Sequence, residues 1–358
     1  MKIFLIVLFM LADFAISAEH GIYLKILENS SEPIEKVVEQ INLKVRATGY
    51  TVLAQKELSG PDLIHNADEK KCGYRGFVLV LEDTEYIKFL SSLGKKYMAA
   101  AFLKVGIYET ENGVQVNLAD PETMSRIVLN DLEDSKYGKA IKQVTTFKNK
   151  LIATIQQVPT GTKVSKAQEP IRSTDDLREA SKDMFMMVGP MTFFEDEDQF
   201  PVIYSEKVQD AKQDIQNLIK RVQRNLLSFQ PTEDDTEYQW TPNKTDLKWI
   251  LTGMLFSPDS TAALLGISRN RTEALSFLIA GQPREEEKNI CPGIDHVAAF
   301  PIEVLIYAQK GKIVMRTARE MFRMDMYFWD AGKMAFMKYV NLPKMLDNSI
   351  KKALLGGN

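Results

Sequence analysis

The chain has 358 residues, 45% of them hydrophobic and 26% charged, with a formal net charge of −3. That length suits two domains, each able to bury its own core, and the composition is that of an ordinary globular protein. A charge balance this close to neutral, without a basic run, argues against a nucleic-acid partner, because such binders displace phosphate counterions with a basic stripe.

Residues 1–18 read as a secretory signal peptide. Lys2 is a minimal positive start, Ile3–Ala12 an apolar block, and Ala15-Ile16-Ser17-Ala18 supplies small residues for cleavage. Asp13 fits that reading poorly, and a buried N-terminal strand or helix is the alternative. No cysteine follows the cleavage region, which argues against lipid anchoring there. No later stretch reaches about 18 uninterrupted apolar residues. The expectation is an exported, soluble mature protein with no stable membrane span, periplasmic in a Gram-negative bacterium. Cys72 and Cys291 are the two cysteines. A bridge between them and two separate thiols both stay open, since one pair does not make a disulfide framework.

Ile22–Leu27 reads as a strand, and Ser31-Glu32-Pro33 opens a helix whose Ile34, Val37, Val38 and Ile41 keep helical spacing to about Ala47. Gly49 stops it, and Tyr50–Ala54 is a second strand. After a polar loop, Phe77–Leu81 is a continuous apolar run, as expected of a strand covered on both faces. Asp83-Thr84 starts a short helix through Leu93. Phe102–Tyr108 and Val114–Leu118 flank Glu111-Asn112-Gly113, a hairpin signal, because Asn and Gly tolerate the positive φ of a tight turn. Asp120-Pro121-Glu122 then opens a helix with Asp as cap and Pro at the first position. Lys136–Gln157 is a further amphipathic helix.

Val158–Ser173 is rich in Pro, Gly, Thr and Ser without periodicity and reads as the domain boundary. The division expected is 19–157 for a first α/β domain, 158–175 for a linker and 176–358 for a second. In the second, Thr174–Met187 reads as helix, Phe200–Tyr204 as strand, and Val208–Leu227 as amphipathic helix. Trp249–Phe256 fits strand or helix. Ser257-Pro258-Asp259 is expected to begin a helix through Leu265, and Arg271–Ala280 is another. Phe300–Tyr307, a turn at Lys310-Gly311-Lys312 and Ile313–Met315 form a second hairpin, followed by a helix with Met321 and helices near Gly332–Tyr339 and Pro343–Leu355. The fold class expected is α+β or mixed α/β, in two related lobes of β-α-β-β-α-β-β-α order, each a small sheet with helices packed on it.

The hairpin and its Asp120-Pro121-Glu122-Thr123-Met124 helix start resemble the domain of unknown function family numbered 302. The resemblance covers about Gly21–Leu132. A more diverged second copy runs from about Phe200 to Asp330, where Phe300-Pro301-Ile302 and Gly311 survive and Thr317-Ala318-Arg319-Glu320 replaces the Asp-Pro start. Ile250-Leu251-Thr252-Gly253 with Ser257-Pro258 would echo the family's central strand and turn. The resemblance implies a compact α/β fold whose domains associate in pairs, here two lobes of one chain. It implies no reaction. Family members often carry a Cys-Asn-Pro turn and a Pro-Cys pair; this chain has Leu81-Glu82-Asp83, Phe102-Leu103 and Pro301-Ile302 in those places, so a thiol-dependent role at them is not expected.

Cys291-Pro292-Gly293-Ile294-Asp295-His296 is the sharpest local cluster. A thiolate and an imidazole suit a soft metal or a lowered thiol pKa, so Cys291, Asp295 and His296 are weak metal or redox candidates against the plainer reading of a Pro-Gly turn. Sixteen methionines include Met184, Met186, Met187 and Met191, and Met321, Met324, Met326, Met334 and Met337. Thioethers suit Cu(I), but among Phe185, Phe322, Tyr327, Phe328 and Trp329 they read as core or lobe interface, with an apolar-ligand pocket between lobes as the functional variant. The acidic runs Glu195–Asp198, Glu233–Asp235 and Glu285–Glu287 lack the spacing of a calcium loop and read as solvated. Arg316, Arg319 and Arg323 would form a basic edge for an anion or a helix face paired with carboxylates. His20 and His65 sit in polar loops without visible partners. There is no nucleophile elbow, phosphate-binding glycine loop or dinucleotide fingerprint.

The functional expectation is an exported, non-catalytic module of the cell envelope that binds a small ligand or an envelope protein at or between its lobes, without a cofactor. A metal or redox protein using Cys291 and His296, and a structural subunit of a larger envelope complex, are the alternatives.

Overall fold

The computed structural model describes residues 19–63, 73–169, 171–178, 199–232, 235, 247–281, 293–331, 337 and 339–357. After strand β1 (Glu19–His20), the first lobe runs β2 (Tyr23–Ser30), α1 (Ile34–Ala47), β3 (Thr51–Leu58), β4 (Gly76–Glu82), α2 (Thr84–Leu93), a 3-10 turn (Lys95–Ala100), β5 (Leu103–Thr110), β6 (Gly113–Ala119), α3 (Pro121–Val128), α4 (Asp134–Ile155) and β7 (Thr162–Ala167). The local chemistry accounts for these bounds. Helix α1 buries Ile34, Val37, Val38, Ile41 and Val45 along one face, and Gly49 leaves it at φ 94°. Asp83 caps α2 by accepting from the amides of Glu85 and Tyr86, and Asp120 caps α3 by accepting from that of Glu122 at 2.8 Å. Strand β4 is apolar from Gly76 to Leu81 because β3 and β5 flank it and both its faces are covered there. The strands form one antiparallel sheet in the order β3-β4-β5-β6-β2-β7.

Strand β8 (Arg172–Ser173) pairs with β1, and α5 (Thr174–Arg178) follows. The second lobe comprises β9 (Val202–Lys207), α6 (Ala211–Ser228), β10 (Ile250–Phe256), β11 (Ala262–Ser268), α7 (Asn270–Gly281), a 3-10 turn (Ile294–Ala299), β12 (Ile302–Gln309), β13 (Lys312–Thr317), α8 (Glu320–Tyr327) and α9 (Leu342–Leu355). Its antiparallel sheet is ordered β10-β11-β12-β13-β9. The first five strands of the other sheet have this same order, element for element. The fold is therefore mixed α/β with two sheets and helices packed on them. Among the described residues, no helix is long and apolar enough to cross a membrane.

Three stretches differ from what the sequence suggests. Ser257-Pro258-Asp259 begins no helix: Ser257 accepts the Ala262 amide on its hydroxyl, which donates to Asp259, and this closes a hairpin turn into β11. Ala262–Ser268, expected as the end of that helix through Leu265, is instead a strand buried throughout between β10 and β12, and Trp249–Phe256, which fits strand or helix, supplies strand β10. Strand β11, and not Ile250–Gly253, occupies the place of β4. The supposed linker 158–175 contributes β7, which adds a sixth strand to the first sheet beside β2. His20 is not an unpartnered loop residue. It is buried in β1, with Nε2 3.1 Å from the Thr174 hydroxyl, and burial, helped by nearby Arg126, lowers its pKa to about 4.

The lobes meet in reciprocal fashion. The turn 294–299 lies against β4 and β5, and the turn 95–100 lies against β11 and β12. Gly106 on β5 makes one of these approaches possible, since a Cβ there would sit 2.6 Å from Val297. On the other side, Ala99, Leu305 and Met326 help enclose a void of about 20 Å³, no larger than a water molecule requires. Between the two contacts, Lys104 on β5 and Glu303 on β12, 199 residues apart, form an ion pair. The Lys104 ammonium also donates to the Tyr327 hydroxyl at 2.6 Å, and that hydroxyl donates to Glu303 at 3.0 Å. Lys104 is 2% exposed, and burial pushes its pKa down against the pull of Glu303.

Breaking a buried pair costs more than its net worth, because an uncompensated charge remains inside. Lys104→Glu and Glu303→Lys are each expected to cost about 3 kcal/mol in urea unfolding, and the double exchange to recover more than half of the summed loss. Single costs under about 1 kcal/mol, or simple additivity, would show that the pair does not hold the seam.

Candidate functional site

The turn before β12 begins at Gly293, whose φ of 63° lies in the left-handed region. It delivers Asp295 and His296 against the first sheet. Asn117 on β6 donates from Nδ2 to the Asp295 carbonyl at 2.8 Å and to Gln168 Oε1 at 2.8 Å, and Gln168 Nε2 lies 3.4 Å from Asp295 Oδ2. His296 is 1% exposed. Its Nδ1 is 3.0 Å from Asp295 Oδ1, and its Nε2 is 2.9 Å from Asp330 Oδ1. Phe328 stacks on the ring at 5.3 Å between centroids, and Tyr23 of β2 meets it edge-on at 5.2 Å. The Tyr23 hydroxyl continues across the seam by donating to the Tyr327 carbonyl at 3.0 Å.

Burial lowers the His296 pKa, but Asp330 and Asp295 outweigh it and raise it to about 10. The ring is an imidazolium at neutral pH, with both N–H groups donating to carboxylates. That state has no lone pair to offer a metal. Cys291, the proposed co-ligand, lies outside the described residues, as do Cys72 and His65. Among the described residues, no group of three or more His, Cys, Asp or Glu side chains is arranged to hold a metal ion.

The other candidates do not converge on a site. Arg316 is buried and donates to the Phe200 carbonyl at 2.6 Å, Arg319 is exposed, and Arg323 is buried against Glu320 at 2.9 Å; they share no edge. Asp235 is buried and paired with Arg269 and Ser349, while Glu233, Asp234 and the runs 195–198 and 285–287 lie outside the described residues. Met326 is buried in the seam, Met321 and Met324 are half-buried, and Met337 is exposed; Met184, Met186, Met187, Met191 and Met334 lie outside the described residues.

Asp295 also faces a polar groove of about 300 Å³ where both lobes contribute. From β2 come Lys25, Glu28 and Asn29; from the first hairpin come Tyr108, Thr110, Glu111, Asn112 and Gln115; from the second lobe come Ile294 and Asp295. Strand β2 breaks register with β6 twice here, after Lys25 and after Leu27, and Asn29 has φ 54°. This unusual backbone is fixed by Gln115, which is buried. Gln115 Nε2 donates to Asn29 Oδ1 at 2.9 Å and Thr110 Oγ1 at 3.1 Å, while its Oε1 accepts from the Asn29 amide at 3.3 Å. The groove is thus a preset array of hydrogen-bonding groups, suited to holding a small polar molecule.

Sequence reasoning found Asp295 and His296 but missed Asp330, Lys104, Glu303, Tyr327, Asn29 and Gln115. One signal was present. From Gly94 to Asp131 and from Gly293 to Asp330 the elements correspond without a gap at the same 199-residue offset that separates Lys104 from Glu303. On that offset Tyr97 corresponds to His296 and Asp131 to Asp330. Indeed the Tyr97 hydroxyl donates to Asp131 at 3.0 Å, as His296 does to Asp330.

A folded pKa above the unfolded value of about 6.5 means that the ring's contribution is fully present below that pH and lost as pH rises toward 10. Imidazole nitrogen NMR shifts should therefore report a doubly protonated His296 at pH 8. Asp330→Asn should lower its pKa by more than one unit, and a neutral ring at pH 8 would sink this account.

No protein-family model matches the chain, and no curated protein sequence matches it. Among solved structures, the crystal structure of an uncharacterized conserved DUF302 protein from Bacillus stearothermophilus is similar over 38% of this chain and 95% of its own, with 11% identity and a TM-score of 0.29. A likeness at that score carries no argument about activity, ligand or partner.

Proposed function

We propose that the chain is an exported, non-catalytic binding module of the cell envelope, built from two fused copies of one domain, and that its ligand occupies the polar groove beside Asp295. The observation that carries this is the groove's construction: one strand and a hairpin of one lobe and a turn of the other define it, and neither lobe holds it alone. The tandem origin is supported by the shared strand order and by the constant offset through both hairpins, where Val105 faces Leu118 and Val304 faces Thr317. Export is supported by the Lys2, Ile3–Ala12 and Ala15–Ala18 pattern, and by the pairing of Glu19 and His20 with β8, directly after the cleavage region. A metal or redox role for Cys291, Asp295 and His296 is the weaker reading, because both ring nitrogens of His296 face carboxylates.

Two measurements test this. Fractionation of expressing cells followed by mass spectrometry is expected to find a product beginning at Glu19 outside the cytosol; a cytosolic chain retaining Met1 would remove the export proposal. Saturation-transfer NMR with a small-molecule extract of the native envelope is expected to show ligand signals with the wild-type protein. Those signals should disappear with Thr110→Trp, which fills the groove from its half-buried wall. Identical signals for both proteins, or none for either, would overturn the groove as the binding site.

A further inference from the structure

We propose that the groove takes a neutral, polyhydroxylated ligand, a small sugar, in preference to an ion; this rests on the groove reading above and names its ligand chemistry. Of the charges that line it, Lys25, Glu28 and Asp295 are already compensated within the fold. Lys25 Nζ sits 3.4 Å from Glu28 Oε1, and both side chains are about one-quarter exposed. The Asp295 carboxylate has His296 on one oxygen and Gln168 near the other. Glu111 stands apart at the exposed tip of the hairpin. An ionic ligand would have to break a compensated pair and would gain little in return, because removing one partner strands the other charge.

The remaining polar groups are those that a hydroxyl can use twice, as donor and as acceptor. Gln115 grips Asn29 by its Oδ1, which leaves the Asn29 Nδ2 donors uncommitted among the described residues. The Asn112 side-chain amide, which makes no bond among the described residues, adds a donor and an acceptor at the turn, while the Thr110 hydroxyl is spent on holding that turn, donating to the Gly113 carbonyl and accepting from Gln115 Nε2 and the Asn112 backbone amide. Because buried Gln115 and the left-handed Asn29 backbone hold this array in place, no ordering cost falls on binding at those positions. At about 300 Å³ the groove stands at the small end of ligand sites, which run to roughly 1,000 Å³.

The test uses the full mature chain and four probes of matched size: D-glucose, N-acetyl-D-glucosamine, D-glucosamine and D-glucuronate. The side-chain amide resonances of Asn29 and Gln115 are followed by NMR. At least one of the two neutral sugars is expected to shift these resonances saturably, at concentrations tenfold or more below either charged probe. Glu28→Gln leaves Lys25 uncompensated and should swing the preference at least fivefold toward glucuronate; Lys25→Met should swing it toward glucosamine. The wild-type backbone amide spectrum elsewhere verifies that both variants fold. A charged probe binding the wild-type groove as tightly as the neutral sugars would overturn the ligand class while leaving the groove as a binding site. If none of the four moves the Asn29 and Gln115 resonances, the sugar assignment is wrong, and the groove itself is then decided by the envelope-extract measurement.

Discussion

The seam between the lobes turns on one constraint. A reciprocal contact between two similarly built units brings the same position of each toward the other, as a two-fold interface does in a dimer. Lys104 and Glu303 are such positions, second in β5 and second in β12. Two identical charged residues there would place like charges in contact in a site where Lys104 is almost wholly removed from water. Opposite charges turn that repulsion into the bond that closes the seam, and the Tyr327 hydroxyl bridges them. The complementarity also sets pairing specificity. Half one against half two satisfies both charges, while either half against a copy of itself satisfies neither.

The same logic explains the two buried clusters on either side of that pair. Asp131 and Asp330 are equivalent, and each is held by a neighbour at a corresponding place, Tyr97 in the first lobe and His296 in the second. A carboxylate largely removed from water is stabilised by a neighbouring cation. In the first lobe Lys96 supplies it, forming an ion pair with Asp131. The residue corresponding to Lys96 in the second lobe is Asp295, which reverses the charge. His296 must therefore carry the proton itself, now between two carboxylates. Its raised pKa is the consequence of that reversal. A parallel substitution occurs at the helix starts. Asp120 caps α3 from within the chain segment, whereas α8, preceded by Arg319, receives its cap from Asp347 of α9, which accepts the Glu320 amide at 2.9 Å.

The first lobe was legible because its elements rest on local signals: Asp83 and Asp120 as caps, Asn112-Gly113 as a turn, and Phe77–Leu81 as a run with only one sensible use. Strand β11 was not, because Ala262–Ile267 is short, apolar on all sides and led by a Ser-Pro-Asp that opens helices and hairpins alike. Strand β7 escaped for the opposite reason. Its half-exposed Thr162–Ala167 has little side-chain pattern and is held by backbone pairing to β2. The ionic pair that joins the lobes involves residues 199 apart, and the His296–Asp330 pair within the second lobe residues 34 apart, and no local spacing rule connects either. His20 illustrates the same gap: its partner Thr174 is 154 residues away.

Pseudo-symmetry also bears on why the groove stands at one end of the seam. Its counterpart would sit at the tip of the second hairpin, facing the turn that carries Lys95 and Lys96 in place of Ile294 and Asp295. There the chemistry is committed to the fold: Lys95 reaches both oxygens of Asp259 at 2.7 Å, and Lys96 holds Asp131. The hairpin tip itself reads Lys310-Gly311-Lys312, without the amides of Asn112 and Gln115. Val314 stands where Gln115 stands in the first lobe, and its apolar side chain cannot grip a neighbouring side chain as Gln115 grips Asn29. Two equivalent surfaces have thus taken different work. One is spent on ion pairs, of which Lys95–Asp259 joins the lobes, and the other, where His296 and Gln168 already satisfy Asp295, is left with an ordered array of polar groups facing solvent.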